Sequence, residues 1–177
     1  MAETGYRLLR SERIYEGRVV SLRRDLVADD AGAACLREVV EHRGAVAVVA
    51  LLDGDRVLMV NQYRHAVAEW LLEIPAGTLE QGEHPEWCAV RELEEETGYT
   101  ARRVRLLFGL YVSPGYCNEV VHVFVADQLT AGQPRPETDE QIEVAAVPLA
   151  DVPQMIAEGR IRDAKTVAAL LAVLASR

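Results

Sequence analysis

The sequence predicts an α/β or α+β sandwich built around a mixed β-sheet. Three observations carry this. Runs of β-branched and apolar residues recur along the whole chain, helical periodicity appears only in inserted segments, and turn residues separate the two. Size agrees: 177 residues, half of them hydrophobic and 27% charged, make one domain, or one domain with a small appendage, and enough apolar material for a core.

Residues 6–27 alternate loosely and carry the β-formers Tyr15, Val19, Val20 and Leu22, so they read as one or two strands. Asp29-Asp30-Ala31-Gly32 marks a turn. Residues 36–52, LREVVEHRGAVAVVALL, are β-branched and apolar, and Asp53-Gly54-Asp55 turns the chain into a further strand at 56–64. LLEIPAG (71–77) predicts a short strand ending at Pro75-Ala76-Gly77. A helix then opens near Pro85, favoured at a first helical position, and stops at Gly98, favoured just past a helix end. Further strands are expected at 103–112, 119–129 and 142–149, the last two separated by the breaker-rich loop TAGQPRPETDEQ. Two helices close the chain, from about Leu149 to Glu158 and over 163–176. Residues 1–40 are expected to form an N-terminal β region and residues 41–177 the main domain.

The formal net charge of −9 and a pI near 5.0 argue against a generic electrostatic grip on nucleic acid or an anionic membrane. An acidic protein that handles an anionic substrate needs local arginines or a bound cation. Cys35, Cys88 and Cys117 are well separated and form no CxxC pair, which suits a reducing cytoplasm. His42, His65, His84 and His122 show no zinc-ligand spacing, and no G-x-S-x-G elbow occurs. The first residues lack an apolar signal core and no apolar run reaches ~18 residues, so a cytoplasmic protein is expected.

One segment resists a purely structural reading. Arg91-Glu92-Leu93-Glu94-Glu95-Glu96 places four acids in six helical positions, and like charges at i,i+4 repel by about 0.2–0.5 kcal/mol per pair. With about 100° per residue, Ala89, Val90, Leu93 and Thr97 form the expected core stripe. Glu92, Glu95 and Glu96 form one carboxylate ridge beside it, and Glu94 points elsewhere. Such a ridge suits a hard cation such as Mg²⁺, which prefers oxygen ligands. The alternative is a solvated, Glu-rich face, the commoner fate of a charge run.

The flanks extend the pattern. Gly77, five residues, Glu83, seven residues, then Arg91-Glu92-Leu93-x-Glu95-Glu96-x-Gly98-Tyr99 resembles the signature of the Nudix hydrolase family, G-x5-E-x7-R-E-U-x-E-E-x-G-U, where U is a bulky aliphatic residue. Every fixed position matches, and the one departure is Tyr99 at the final U. The resemblance implies an α/β/α sandwich around a mixed sheet and hydrolysis of a nucleoside diphosphate linked to another group. It implies two or more Mg²⁺ or Mn²⁺ ions held by Glu92, Glu95, Glu96 and the backbone carbonyl of Ala76. Glu83 and Arg91 are then an ion pair that pins the preceding loop to the helix.

Three features outside the signature resemble the ADP-ribose pyrophosphatase subfamily. Pro114, in Ser113-Pro114-Gly115, lies sixteen residues after Gly98, although a Pro-Gly turn serves any protein. Asn61-Gln62-Tyr63-Arg64, followed by Glu73-Ile74-Pro75-Ala76-Gly77, implies that Arg64 grips a phosphate, the alternative being a surface arginine. The loop Glu137-Thr138-Asp139-Glu140-Gln141 implies a catalytic base on a mobile segment. Glu140 aligns best, Glu137 and Asp139 compete with it, and a plain polar loop is the alternative. The resemblance further implies a homodimer in which the N-terminal strands help to build the nucleoside pocket, with Tyr15, Arg18, Arg37 and Glu38 in reach and nothing in the sequence choosing among them.

The expected activity is Mg²⁺-dependent hydrolysis of ADP-ribose to AMP and ribose 5-phosphate. Another nucleotide sugar or dinucleotide, such as GDP-mannose or NADH, is the nearest rival. A Nudix module that binds a nucleotide without cleaving it is a reading from a different class.

Overall fold

In the computed structural model, residues 5–134 and 142–177 are described, and they fall into two compact units. The first comprises Met1–Gly44 together with Tyr111–Val120. Its framework is an antiparallel sheet of β1 (Arg7–Glu16), β2 (Val20–Ala28) and β3 (Ala34–His42) in that order. Two register shifts in β1, between Leu8 and Arg10 and between Arg13 and Tyr15, mark bulges. Charged side chains tie the strands across the sheet. Arg23 bonds Asp25 on its own strand and Glu41 on β3, and Arg24 bonds Glu12 on β1 at 2.9 Å. The segment 111–120 joins β3 through its backbone: Val40 N donates to Tyr116 O at 2.7 Å and Asn118 N donates to Val40 O at 3.1 Å.

The second unit, Ala45–Leu110 with Val121–Arg177, holds the larger sheet. Its strands are β4 (Ala45–Leu52), β5 (Arg56–Arg64), β6 (Glu69–Glu73), β7 (Ala76–Thr78), β8 (Tyr99–Tyr111), β9 (Val120–Ala131) and β10 (Ile142–Pro148). The order is β10-β5-β4-β9-β8, with β6 beside β5 and β7 beside β4. β4 and β9 run parallel while β5 is antiparallel to β4, β6 and β10, so the sheet is mixed.

Alternation along β4 divides the core in two. Ala45, Ala47 and Val49 face one side, where Val57, Met59, Ile74, Leu170 and Val173 pack with them. Val46, Val48 and Ala50 face the other, against Leu58, Cys88, Ala89 and Leu93. Helix α1 (Pro85–Thr97) covers the second face, and α2 (Val152–Ala157) and α3 (Ala164–Ala175) cover the first. This is the expected α/β/α sandwich around a mixed sheet. Among the described residues no helix is long and apolar enough to cross a membrane.

Three local expectations change. The stretch 36–52 is two strands of different sheets, broken at Arg43-Gly44, where Gly44 takes φ 96°. β3 is polar and half solvated, whereas the first six residues of β4 are buried on both faces. Residues 71–77 do not form one strand either: Ile74-Pro75 separates β6 from β7, since proline offers no N–H to a ladder. The helix 149–158 opens as a 3₁₀ turn at Leu149–Asp151 before α2 begins.

Candidate active site

Helix α1 carries the acidic run, and its ends are fixed by local chemistry. The His84 ring accepts from Glu86 N, Pro85 occupies the first turn, and Gly98 closes the helix in the left-handed region at φ 74° while its N–H donates to Glu94 O at 2.8 Å. The buried face consists of Cys88, Ala89, Glu92, Leu93, Glu96 and Thr97. This corrects the stripe read from the sequence. Val90 is exposed, and Glu92 and Glu96 lie within the buried face rather than beside it.

Burying carboxylates is costly unless each is bonded, and each of these two has an anchor. Glu96, 2% exposed, accepts from Ala76 N at 3.1 Å. Glu92 lies directly over Gly77, where any Cβ would overlap its carboxylate. The glycine is therefore required by a close approach, not by its backbone angle. Pro75 O accepts from Val48 N at 2.8 Å, which ties the same turn to the central strand.

Glu83 and Arg91 form a two-pronged pair, Nε to Oε1 and Nη2 to Oε2, both at 3.0 Å. The Arg91 bond holds the Glu83 carboxyl down to about 2, and the same pair pushes Arg91 above its ordinary range. The remaining nitrogen, Nη1, donates to Glu92 Oε1 at 2.7 Å and to Glu95 Oε2 at 3.0 Å. Arg91 thus gathers Glu83, Glu92 and Glu95 around one guanidinium. Cys88 lies beside it, its thiol raised to about 12 chiefly by burial and next by Glu83. Along the outer side of the helix a cleft of about 460 Å³ is lined by Trp87, Val90, Arg91, Glu94 and Glu95.

The fit to a divalent cation follows from the donor set. Glu92, Glu95, Glu96 and the Ala76 carbonyl offer only oxygen, the chemistry that Mg²⁺ and Mn²⁺ select. Among the described residues no three acidic, histidine or cysteine side chains form a ready-made metal cluster. Instead Arg91 supplies the positive charge between Glu92 and Glu95.

Arg64 stands at the end of β5, and its fork faces inward. Nε and Nη2 donate to Glu73 Oε1 and Oε2 at 2.9 and 2.8 Å. Glu73 is 1% exposed and also accepts from Lys165, which in turn lies 3.0 Å from Asp163. Burial would raise the Glu73 carboxyl, but the Arg64 bond and the Lys165 charge together bring it below its ordinary value. Arg64 is held charged above all by Glu73, with Glu96 and Asp163 adding to the effect. Glu73, Asp163 and Lys165 had no role in the sequence reading. Glu73 is the acid of Glu73-Ile74-Pro75-Ala76-Gly77, a visible signal, but nothing local marks Lys165.

Ser113, Pro114, Gly115, Arg37 and Glu38 belong to the first unit. Ser113 O accepts from Tyr116 N and Cys117 N at 3.1 and 2.9 Å, closing the turn that contains Pro114 and Gly115. Arg37 and Glu38 are exposed on β3. The Arg37 guanidinium lies over the Tyr6 ring, 5.0 Å from its centre, and Arg37 also bonds Leu36 O. Glu140, with Glu137 and Asp139, lies outside the described residues.

A mixed sheet clasped between helices, with this acidic helix set on a Pro-Ala-Gly turn, defines a Nudix protein. A model of the NUDIX domain matches residues 41–170, and the chain belongs to that family. Among its relatives, the ADP-ribose pyrophosphatase of Bacillus subtilis (strain 168) is 44% identical over 161 residues, 90% of this chain and 87% of that protein. The methanol dehydrogenase activator of Bacillus methanolicus is 41% identical over 164 residues, 92% and 89% of the two chains. A solved structure described as an ADP compounds hydrolase superposes with a TM-score of 0.85 at 23% identity, covering 96% of this chain and 92% of its own.

Proposed function

We propose that this Nudix protein hydrolyses the pyrophosphate bond of ADP-ribose, with water as co-substrate and AMP and ribose 5-phosphate as products. The observation that carries the reading is the intact Glu92, Glu95 and Glu96 set, organised on one helix by Arg91 and the Ala76–Gly77 turn. The 44% identity to an ADP-ribose pyrophosphatase supports the substrate.

Each residue then has a task. Glu92, Glu95, Glu96 and the Ala76 carbonyl hold two or more Mg²⁺ or Mn²⁺ ions. When bound, such ions neutralise a pyrophosphate and lower the pKa of a coordinated water. Glu83 keeps Arg91 in place, and Arg91 holds Glu92 and Glu95 together through one shared nitrogen. Arg64 presents the N–H groups not taken by Glu73 to a phosphate. Glu140 is the base that takes the proton of the attacking water, with Glu137 and Asp139 as competitors. Ser113, Pro114, Gly115, Arg37 and Glu38 contact the nucleoside or terminal ribose. A second copy of the chain completes a homodimer, a role supported by the apolar side chains that the three-stranded sheet leaves exposed, Leu8, Ile14, Tyr15 and Leu36. Three unpaired cysteines accord with a cytoplasmic setting.

A substrate panel with Mg²⁺ tests the reading. ADP-ribose should be cleaved faster than GDP-mannose and NADH, with AMP released, and equal or slower cleavage of ADP-ribose overturns the substrate assignment. One observation favours a second reading, a regulatory module that binds a nucleotide without hydrolysing it: the 41% identical relative is named as a dehydrogenase activator. Tight binding of ADP-ribose with no turnover of any member of the panel would decide for it.

A further inference from the structure

The charge network behind Arg64 reaches from β5 to the start of α3. Glu73 accepts both prongs of Arg64 and also the Lys165 ammonium. Lys165 is shared with Asp163 at 3.0 Å. Asp163 caps α3 by accepting from Thr166 N at 2.9 Å and from Thr166 Oγ1 at 2.6 Å, and Thr166 Oγ1 in turn accepts from Ile74 N at 3.1 Å. One connected chain of bonds therefore fixes both the Arg64 guanidinium and the residue that precedes Pro75-Ala76-Gly77.

The charges in this network decide its use. The Arg64–Glu73 pair, with only Glu73 buried, by itself sums to zero, so it offers an incoming anion only the dipole of the pair. Lys165, mostly buried, adds a positive charge on the Glu73 side, and Asp163 takes up that charge from behind. Without Lys165 the group Arg64, Glu73 and Asp163 is net negative beside a site that must admit a pyrophosphate. A fivefold loss of binding corresponds to about 1 kcal/mol.

We propose that Lys165 is a positioning residue for substrate: by sharing Glu73 with Arg64 it keeps the outer N–H groups of Arg64 aimed at, and electrostatically available to, a phosphate of a nucleoside diphosphate derivative. This rests on the reading of Arg64 as a phosphate contact in a Nudix hydrolase. Lys165 itself touches neither substrate nor the reacting atoms.

The test compares Lys165→Met, Lys165→Arg and Asp163→Asn in the full chain. Lys165→Met should raise KM for ADP-ribose about five- to tenfold with kcat within about threefold, the pattern of lost uniform binding. Lys165→Arg should restore most of that KM. Asp163→Asn, which keeps a capping oxygen, should leave KM unchanged or lower it. The affinity for a non-hydrolysable ADP-ribose analogue, read by calorimetry, should move by the same ratios. That measurement separates the two readings, because binding ratios follow Lys165 even if the protein turns nothing over. An unchanged KM and affinity in Lys165→Met overturns the proposal. So does a matching loss in Lys165→Arg with lowered melting temperature, which would mark a purely structural lysine. Failure of all variants and wild type to bind the analogue overturns it together with the phosphate role of Arg64.

Discussion

The two units hold most of their charge in different settings. In the first, nine of the ten residues of β1 are exposed and the Arg24–Glu12 pair stands in water. Pairs of that kind are individually worth little, about 0–1 kcal/mol. Asp25, held by Arg23 and Ser11, is the one carboxylate of that sheet that is buried among the described residues. In the second, the first six residues of β4 are buried, and the acids Glu73, Glu92 and Glu96 are packed behind them with donors assigned to position them. Buried charges are costly to misplace, so their geometry is narrowly defined. The comparison teaches where precision resides. The buried carboxylates of α1 sit on the unit with the larger core, whereas the three-stranded sheet leaves apolar side chains such as Leu8, Ile14 and Leu36 exposed.

Removing one buried carboxylate charge tests this most severely. Glu96→Gln retains an oxygen for Ala76 N but loses the negative charge. Turnover should fall at least about 100-fold, beyond what loss of a supporting partner gives, while the circular dichroism spectrum and melting temperature stay near those of the wild type. A change of less than about tenfold would mean that Glu96 serves only the turn.

A methyl group is the next largest perturbation, and it separates the units. Gly77→Ala places a Cβ against the Glu92 carboxylate, and the overpacked turn should cost about 1–3 kcal/mol in stability along with most activity. Gly115→Ala, in the first unit, meets nothing within 4 Å and should shift stability by no more than about 0.5 kcal/mol. Urea titration of both variants checks the pair, and equal losses would erase the contrast between the units.

Much of this was legible in the sequence because it is local. The ends of α1 are set by Pro85 and Gly98, and Glu92, Glu95 and Glu96 are related by helical spacing alone. The Glu83–Arg91 pair spans eight residues of one loop and helix. What was not legible depends on contacts distant in sequence or on backbone angle. Glu73 meets Lys165 across 92 residues, and no local periodicity encodes that. Gly77 reads as a turn glycine, yet its reason is the Glu92 side chain fifteen residues on. Val90 was misplaced because the wheel assumed that carboxylates avoid the buried face, whereas Glu92 and Glu96 occupy it with bonded partners. The strand break at Arg43-Gly44 hides in an apolar run because a positive φ leaves no hydrophobic trace.

The smallest predicted effect is a pH dependence, and it too differs between units. The Glu83 carboxyl is held at about 2 by Arg91, below its ordinary value of 4.5. The folded state therefore binds its proton less readily than the unfolded chain. The stabilisation is fully present above about pH 4.5 and drains away as pH falls toward 2. Between about pH 6 and about pH 3 this group contributes at most ~2 kcal/mol, less whatever solvent around Arg91 screens. Glu12 in the first unit is also lowered by Arg24, but it stands in water, where such a pair is weak. Comparing urea midpoints at the two pH values, Glu83→Gln should flatten the acid loss of stability, whereas Glu12→Gln should leave it as in the wild type. An equal flattening in both variants would show that the exposed pair holds its charge as firmly as the one beside α1, and the distinction between the two units would fail at the point where it is most easily measured.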